Sequence, residues 1–333
     1  MNIKKVCKPR NIGKIDIPTP LLVPSFSSAQ FDDIGDLHRK LREYITDASL
    51  VGGYDLHYEN IKRDEIWVSD VVFIDSGTFE YQGQFSSKKL KDWTFEYVSQ
   101  VPSENPKKPW SSLMYSAVID ALEPLSKVVL TNFDQKEPLE DQISYAKNLF
   151  SKYSDYGTCF LCRPTDKGSS TIDIKGLIEN ISLIKSFNIL GITEKELGNS
   201  VLERCEHILM VRKALDTNGL MLPIHIFGCL DPLSILPYFL CGADIFDGLA
   251  WLKWIFHENV AIYINNSPLL TGNWSESNQN TNLIAYVKNC EELRKLRDAM
   301  RRFTLKYDLD IFGLKKDILK EIVNLTRTAG IEY

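Results

Sequence analysis

Short apolar runs alternate along the chain with longer segments of helical periodicity. Eight runs have the length and composition of buried strands, at residues 20–26, 48–51, 71–75, 127–134, 158–164, 188–193, 223–228 and 242–251. Between most of them the apolar positions recur every three or four residues, which predicts helices at 111–125, 138–153, 172–187, 199–216 and 231–241. Eight strands alternating with helices predict an α/β fold, the (β/α)8 or TIM barrel.

The same pattern predicts a single domain that spans residues 1–333, with the barrel at about 20–258. The stretch 78–110 is rich in aromatic residues and lysines and is longer than an ordinary barrel connection, so we interpret it as a loop insertion after strand three. An excursion at 259–282 and a helical C-terminal extension at 283–333 are expected to follow the barrel.

Aspartates lie at the ends of several apolar runs. Asp75, Asp134 and Asp247 come at the carboxyl ends of predicted strands, and these ends meet at the face where barrel enzymes build their active sites. Asp244 and Asp247 are three positions apart on one strand, so they point to opposite faces. Asp244 is therefore predicted to cap or pair locally, whereas Asp75 and Asp247 are candidates for catalysis.

The overall charge excludes a general attraction to nucleic acid. The chain has 39 Lys and Arg against 44 Asp and Glu, a net charge of −5, so a polyanion must be met by a local basic cluster. Two clusters are candidates for phosphate contacts: Lys88, Lys89 and Lys91 in the insertion, and Arg294, Arg297 and Arg301 on one face of a C-terminal helix. An ordinary lid and a solvated helix face are the alternative interpretations.

Neither a membrane segment nor an export signal is expected. No apolar run reaches the length of a membrane span, and residues 1–10 are charged without an apolar core. Seven scattered cysteines favour a reducing, cytoplasmic environment over a disulfide framework. Cys159 and Cys162 point to opposite faces of a strand, so they are expected to pack rather than to bind metal, and no cofactor is expected.

Four stretches of the chain resemble the tRNA-guanine transglycosylase superfamily. Asp75–Phe79 resembles its Asp-Ser-Gly-x-Phe signature, and Gly242–Trp251 resembles its Gly-x-Asp-x-Phe-Asp stretch. His225–Gly228 is similar to the strand before that stretch, and Asn282–Arg302 is similar to its C-terminal helix region. With Asp-Ser-Gly-Thr-Phe-Glu-Tyr after strand three and Ile192–Gly198 after strand six, the chain most resembles the DNA-acting 7-deazaguanine transglycosylases (the DpdA-like branch).

The resemblance implies that guanine in a nucleic acid is exchanged for a free 7-deazaguanine base, such as 7-cyano-7-deazaguanine. Asp247 would attack C1′ and form a covalent glycosyl-enzyme ester. Asp75 would protonate the departing guanine and then deprotonate the incoming base. The resemblance assigns substrate-binding roles to four further residues: Ser76, Phe79, Asp134 and Gly191.

One departure from the family's pattern concerns zinc. After strand eight the family's Cys-x-Cys-x-x-Cys cluster is absent and only Cys290 occurs, so no zinc is expected. This favours DNA as the polymer, which must present an unstacked guanine by base flipping or as a single strand. A tRNA-guanine transglycosylase and a non-catalytic nucleic-acid-binding subunit stay open as alternatives. Whether a separate ATP-hydrolysing partner protein is needed also stays open.

Overall fold

The computed structural model describes residues 3–82, 108–272 and 274–328. Its centre is a closed barrel of eight parallel strands, in which each strand pairs with the next along the chain and the last pairs with the first. The strands are β1 (Leu21–Phe26), β2 (Ala48–Gly52), β3 (Val71–Asp75), β4 (Lys127–Thr131), β5 (Gly157–Cys162), β6 (Ile189–Thr193), β7 (Ile224–Phe227) and β8 (Ile245–Gly248). The predicted TIM barrel is confirmed.

Helices follow most of the strands. The α-helices are Ile3–Val6, Ile34–Leu41, Gly53–His57, Thr78–Gln82, Ser112–Asp120, Leu139–Phe150, Ile174–Glu179, Val201–Thr217, Pro232–Leu240, Ser267–Thr271, Asn278–Lys306 and Lys316–Thr328. Shorter 3-10 segments are Gly13–Ile15, Arg42–Tyr44, Ile181–Ile184, Glu194–Glu196, Ala250–Leu252, Ile264–Asn266 and Leu309–Lys315. Two-stranded antiparallel sheets join Asn11–Ile12 to Ile17–Pro18 and Trp254–His257 to Val260–Tyr263.

Side-chain caps set the start of several barrel helices. Ser111 and Ser200 each accept a hydrogen bond from a backbone N–H of the first turn. Asp231 accepts two such bonds and is followed by Pro232, whose fixed φ suits the first helical turn. Each of these caps ends a loop at the carboxyl end of a strand, the end that we call the mouth of the barrel.

Alternation along the strands separates an inner apolar cluster from an outer one. The inner cluster comprises Ile12, Ile15, Leu21, Val23, Ala48, Leu50, Val71, Phe73, Val129, Cys159, Leu161, Ile189, Phe227 and Ile245. Successive strand residues face opposite sides, so Asp75, two positions after Phe73, and Asp247, two after Ile245, face the barrel interior. Cys162 belongs to the outer cluster, which confirms that the two strand cysteines point to opposite faces.

Asp244, at the amino end of β8, is a structural anchor. Its carboxylate accepts hydrogen bonds from Arg10 Nη1 at 2.9 Å, Arg212 Nη2 at 2.7 Å and Ile224 N at 2.9 Å. These bonds stabilise a carboxylate that would otherwise be costly to bury. The structural role is as expected, but the expected local pairing is wrong, because the two arginines lie 234 and 32 residues away in the sequence.

The segment after the mouth of β8 differs from its prediction. β8 covers only Ile245–Gly248, because the residues that follow turn into the 3-10 segment Ala250–Leu252. The strand predicted at 260–264 is Val260–Tyr263, and its partner is Trp254–His257, which the sequence analysis places within the barrel. The two strands form a hairpin, Trp254–Tyr263, that begins directly at the mouth.

Helix boundaries also differ. The C-terminal extension begins with Asn278–Lys306, inside the predicted excursion, because Ser277 caps that helix. The predicted helix 172–187 is interrupted after Ile174–Glu179. Of the predicted insertion, residues 83–107 lie outside the described part of the chain. Among the described residues, no helix combines the length and the apolar character that crossing a membrane requires.

Candidate active site

A cavity of about 430 Å³ opens at the mouth of the barrel. Its acidic lining residues are Asp75, Glu80, Asp134, Glu194 and Asp247. Its cationic lining residues are Arg163, Lys195 and Lys253, and its aromatic ones are Phe26, Phe79, Phe227 and Trp254. The volume lies in the range of small-molecule sites. The cavity brings together four residues that the sequence analysis names for catalysis or substrate binding: Asp75, Phe79, Asp134 and Asp247.

Asp247 is held by hydrogen bonds on both carboxylate oxygens. Ser25 Oγ donates to Oδ2 at 2.8 Å, His225 Nε2 lies 3.0 Å from Oδ1, and Gly228 N–H donates to Oδ1 at 3.3 Å. Ser25 and His225 reach it from β1 and β7, the two strands between which β8 lies. These contacts fix the orientation of a carboxylate whose residue is 5% exposed and lines the cavity.

Asp75, at the end of β3, has different surroundings. Its Oδ1 is buried and has no hydrogen-bond partner among the described residues. Burial, together with the Asp134 and Asp247 carboxylates, raises the pKa of Asp75 to about 7, against the lowering effect of the Ser76 and Gly77 backbone amides. Near neutral pH the group is thus divided between acid and carboxylate, as a group that both donates and accepts a proton requires.

Asp134, in the loop after β4, is the centre of a polar network. Its Oδ1 accepts hydrogen bonds from Ser76 Oγ at 2.5 Å and Thr78 Oγ1 at 2.6 Å, and its Oδ2 pairs with Arg163. Arg163 also donates to Glu196 Oε1 at 2.8 Å. Ser76 is fully buried behind Asp134 and does not line the cavity, so the structure gives this predicted substrate-binding residue a supporting position.

Gly77 makes the turn after β3 possible. Its φ is +77°, and a Cβ at this position would lie 2.5 Å from the backbone nitrogen of Tyr54. Only glycine meets both conditions without strain. In the Asp-Ser-Gly motif, the acid therefore faces the cavity, the serine supports Asp134 and the glycine turns the chain into the helix Thr78–Gln82.

Glu80, on that helix, is a second buried acid in the cavity wall. Ser27 Oγ donates to its Oε1, and its Oε2 is without a hydrogen-bond partner in the described part of the chain. Burial, followed by the nearby Asp55 and Asp75 carboxylates, raises the pKa of Glu80 well above its usual range. Glu80 therefore stays uncharged over a wider pH range than an ordinary glutamate.

Gly191 lies in the middle of β6 and does not line the cavity. Its strand neighbours in register are Leu161 and His225, and a Cβ added to it would lie 2.7 Å from the ring of Phe227. The missing side chain makes room for that ring. Its position does not support the predicted contact with a base.

One of the two predicted basic clusters, Arg294, Arg297 and Arg301, lies on the C-terminal helix and does not border the cavity. Arg297 pairs with Asp47, which directly precedes β2, and Arg294 donates to the carbonyl of Tyr44 at 3.3 Å. They therefore lie at the amino ends of the strands, opposite the mouth. The expected phosphate contact is corrected for Arg297, because this residue is paired and only 8% exposed.

The second basic cluster cannot be placed in this way. Lys88, Lys89 and Lys91 lie outside the described residues, so their predicted phosphate contacts stay predictions.

Among the polar residues that the sequence analysis missed, three hold the acids of the site in place: Ser25, Arg163 and His225. Each lies two positions from an inward-facing apolar residue of the same chain segment. A polar residue at an inward position near a strand end was the signal that could have identified them. Without knowledge of which strands are neighbours, that signal does not say which acid they contact.

The fold and the site together define a TIM barrel in which two carboxyl groups with contrasting environments face one cavity at the mouth. Within the described ranges, no group of three or more His, Cys, Asp or Glu residues is arranged to hold a metal ion. No family model matches the chain, and no curated protein matches its sequence. The case for a function therefore rests on the chemistry of this site and on the motifs that supply its residues.

Proposed function

We propose that the protein is a base-exchange transglycosylase that replaces guanine in DNA with a 7-deazaguanine derivative such as 7-cyano-7-deazaguanine. The observation that carries the proposal is the contrast between Asp247, oriented through both oxygens, and Asp75, whose pKa is near 7. Such a contrast divides two acids into a nucleophile and an acid–base catalyst. The motifs around both residues resemble those of guanine transglycosylases, which supports the same assignment.

In the first half of the reaction, an oxygen of Asp247 attacks C1′ of the target nucleotide. The bond from C1′ to N9 of guanine breaks, its electron pair leaves with the base, and Asp75 in its acid form supplies the proton that neutralises the departing guanine. The sugar is then held as an ester of Asp247. Ser25 and His225 keep the attacking carboxylate in place, so that little reorganisation is needed on the way to the transition state.

In the second half, Asp75 is a carboxylate and accepts the N9 proton of the incoming 7-deazaguanine. The nitrogen attacks C1′, the ester bond breaks, and Asp247 returns to its starting form. Because one group must be an acid in the first half and a base in the second, a pKa close to the working pH is the useful value.

Two further cavity residues suit recognition of a purine. Phe79 is 40% exposed on the helix after β3 and offers a ring face for stacking. Asp134 already accepts three hydrogen bonds, but a carboxylate has about four acceptor positions, so it can still accept one from the donor edge of guanine. Its network with Ser76 and Arg163 keeps it from turning away.

The test is guanine exchange by the purified protein. A guanine-containing DNA oligonucleotide is incubated with labelled guanine or with 7-cyano-7-deazaguanine, and the nucleosides are analysed by mass spectrometry. Asp247→Asn should abolish incorporation, because an amide of the same shape is not a nucleophile. Wild-type protein without an incoming base should form a denaturation-resistant adduct with the DNA. Asp64→Asn, the same change at an exposed turn residue, is the matched control.

Each alternative predicts a different result. If the 7-deazaguanine base were incorporated into tRNA but not into DNA, the substrate polymer would be tRNA and not DNA. Nucleic-acid binding without exchange, both with purified protein and in a cell extract that supplies ATP and partner proteins, would favour a non-catalytic subunit. Exchange by Asp247→Asn at nearly the wild-type rate would remove Asp247 as the nucleophile.

A further inference from the structure

Two aromatic rings stand exposed at the rim of the cavity. Trp254 is 41% exposed and lines the cavity, and Tyr263 is 53% exposed beside it. The two residues are directly opposite each other in the hairpin, and their ring centroids are 6.4 Å apart at an interplanar angle of 64°. We call Trp254 and Tyr263 the rim pair. It continues the apolar wall of the cavity outward onto the surface.

The hairpin that carries the rim pair is firmly attached to the rest of the protein. Asn289 of the C-terminal helix is fully buried, and its side-chain amide donates to the carbonyls of Trp251 and Trp254 at 2.6 Å each. Its Oδ1 accepts from the backbone N–H of Phe256, also at 2.6 Å. The side chain of Phe256 is itself buried in the outer apolar cluster. The rim pair is therefore a preformed surface, which binds a ligand with a small ordering cost.

The charges around the cavity restrict what can bind to this surface. The carboxylates of Asp134, Glu194 and Asp247 line the cavity and repel a phosphate from its interior. Of the cations that line it, Arg163 is already paired with Asp134 and Glu196. Lys195 and Lys253 are exposed and form no ion pair within the described part of the chain, and Lys253 directly precedes Trp254. An aromatic surface next to two available cations suits a nucleotide better than an apolar peptide.

We propose that the rim pair is the stacking surface for the nucleotide that flanks the target guanosine, with Lys195 and Lys253 contacting the adjoining phosphates. This inference rests on the proposed function and adds to it the place where the polymer strand leaves the cavity. A base on this surface must be unstacked from its own strand. The occupant is therefore a single strand, or the strand of a locally opened duplex.

The test is the binding of a fluorescein-labelled single-stranded DNA oligonucleotide, measured by fluorescence anisotropy. Trp254→Ala and Tyr263→Ala should each weaken binding by about 5- to 150-fold, the range for loss of one base–aromatic stack. Trp254→Phe should retain most of the affinity, because it keeps a ring. Trp274→Ala is the matched control: Trp274 belongs to the same excursion as Tyr263, is 75% exposed and does not line the cavity.

The phosphate contacts proposed for the lysines are tested separately, through the salt dependence of oligonucleotide binding. Lys253→Ala should lower the slope of log Kd against log salt by about 0.7, the value for one phosphate contact on a single strand. Trp254→Ala should leave that slope unchanged. Loss of affinity without this division between the two variants would contradict the assignment of stacking to the ring and phosphate contact to the lysine.

The outcomes separate this inference from the proposed function. If wild-type protein exchanges guanine but both rim-pair alanine variants bind the oligonucleotide as wild type does, the rim pair is not the stacking surface and the proposed function stands. If the variants lose binding as expected but wild type exchanges no base, the stacking surface stands and the proposed chemistry falls. Tighter binding of intact duplex than of single strand by wild type would also overturn the inference.

Discussion

Replacing Asp75 by asparagine should make the folded protein more stable at neutral pH, although it removes a residue of the proposed active site. Asparagine has the shape of protonated aspartate but cannot ionise. In the wild type, burial and two neighbouring carboxylates oppose ionisation of Asp75 and raise its pKa from 3.8 to about 7. That pKa shift means that ionising Asp75 destabilises the folded protein by about 4 kcal/mol relative to the unfolded chain.

The direction in which folding stability changes with pH follows from proton linkage. Between pH 4 and pH 7 the folded protein holds a proton on Asp75 that the unfolded chain has lost, so stability falls as pH rises through this window. The difference between Asp75→Asn and wild type should be small at pH 4 and reach about 4 kcal/mol above pH 7. With an unfolding entropy of about 2.1 cal/mol/K per residue over 333 residues, this is about 6 °C in Tm.

The measurement is urea unfolding at a series of pH values from 4 to 8, with thermal melts alongside. Other buried groups also change stability with pH in both proteins: Asp55 and Glu80 have raised pKa values, which lower stability as pH rises, and burial lowers the pKa of His38 to about 4, which acts in the opposite direction. Only the difference between the two proteins therefore reports Asp75. Asp64→Asn, at an exposed position, should show no such pH-dependent difference. A constant difference between Asp75→Asn and wild type across the series would refute the conclusion that Asp75 is held protonated.

Two other changes test the structural interpretation. Gly77→Ala should destabilise the protein by at least about 1–3 kcal/mol, because the residue has a φ of +77° and its Cβ would lie 2.5 Å from Tyr54 N; urea unfolding measures this, and a loss below about 0.5 kcal/mol would contradict it. Arg297→Ala should cost about 1–3 kcal/mol through its lost pairing with Asp47, yet leave oligonucleotide affinity within about twofold at one fixed salt concentration. If Arg297→Ala lost oligonucleotide affinity steeply while its stability stayed unchanged, Arg297 would instead be assigned to the nucleic-acid interface.

The rim pair and the C-terminal arginines show that clusters of residue types in a sequence do not reveal which side chains are available for binding. Basic clusters are visible in a sequence, but whether a cation is available depends on its neighbours in the fold. Arg297 is paired with Asp47, 250 positions away in the sequence, and Arg294 donates to the carbonyl of Tyr44, which is also 250 positions away. The exposure of Trp254 and Tyr263 depends in the same way on a hairpin whose first strand the apolar pattern assigned to the barrel.

The contacts around Asp247 could not be predicted either. Ser25 is 222 residues away from it in the sequence, and only closure of the barrel makes β1 a neighbour of β8. The same closure aligns His225 of β7 with the other carboxylate oxygen. Nothing local to these residues identifies their partner, because hydrogen bonds between strands depend on strand order and register.

The sequence by itself determined the barrel and the side of each strand to which its acids point. Apolar run length, helical periodicity and the two-residue repeat of a strand are local properties, so they place Asp75 and Asp247 inside the barrel mouth and turn Asp244 away. Only the tertiary structure decided the electrostatic state of those acids. The pKa of Asp75 depends on its burial and on its distance from Asp134 and Asp247, and such distances are set by the packing of strands far apart in the chain.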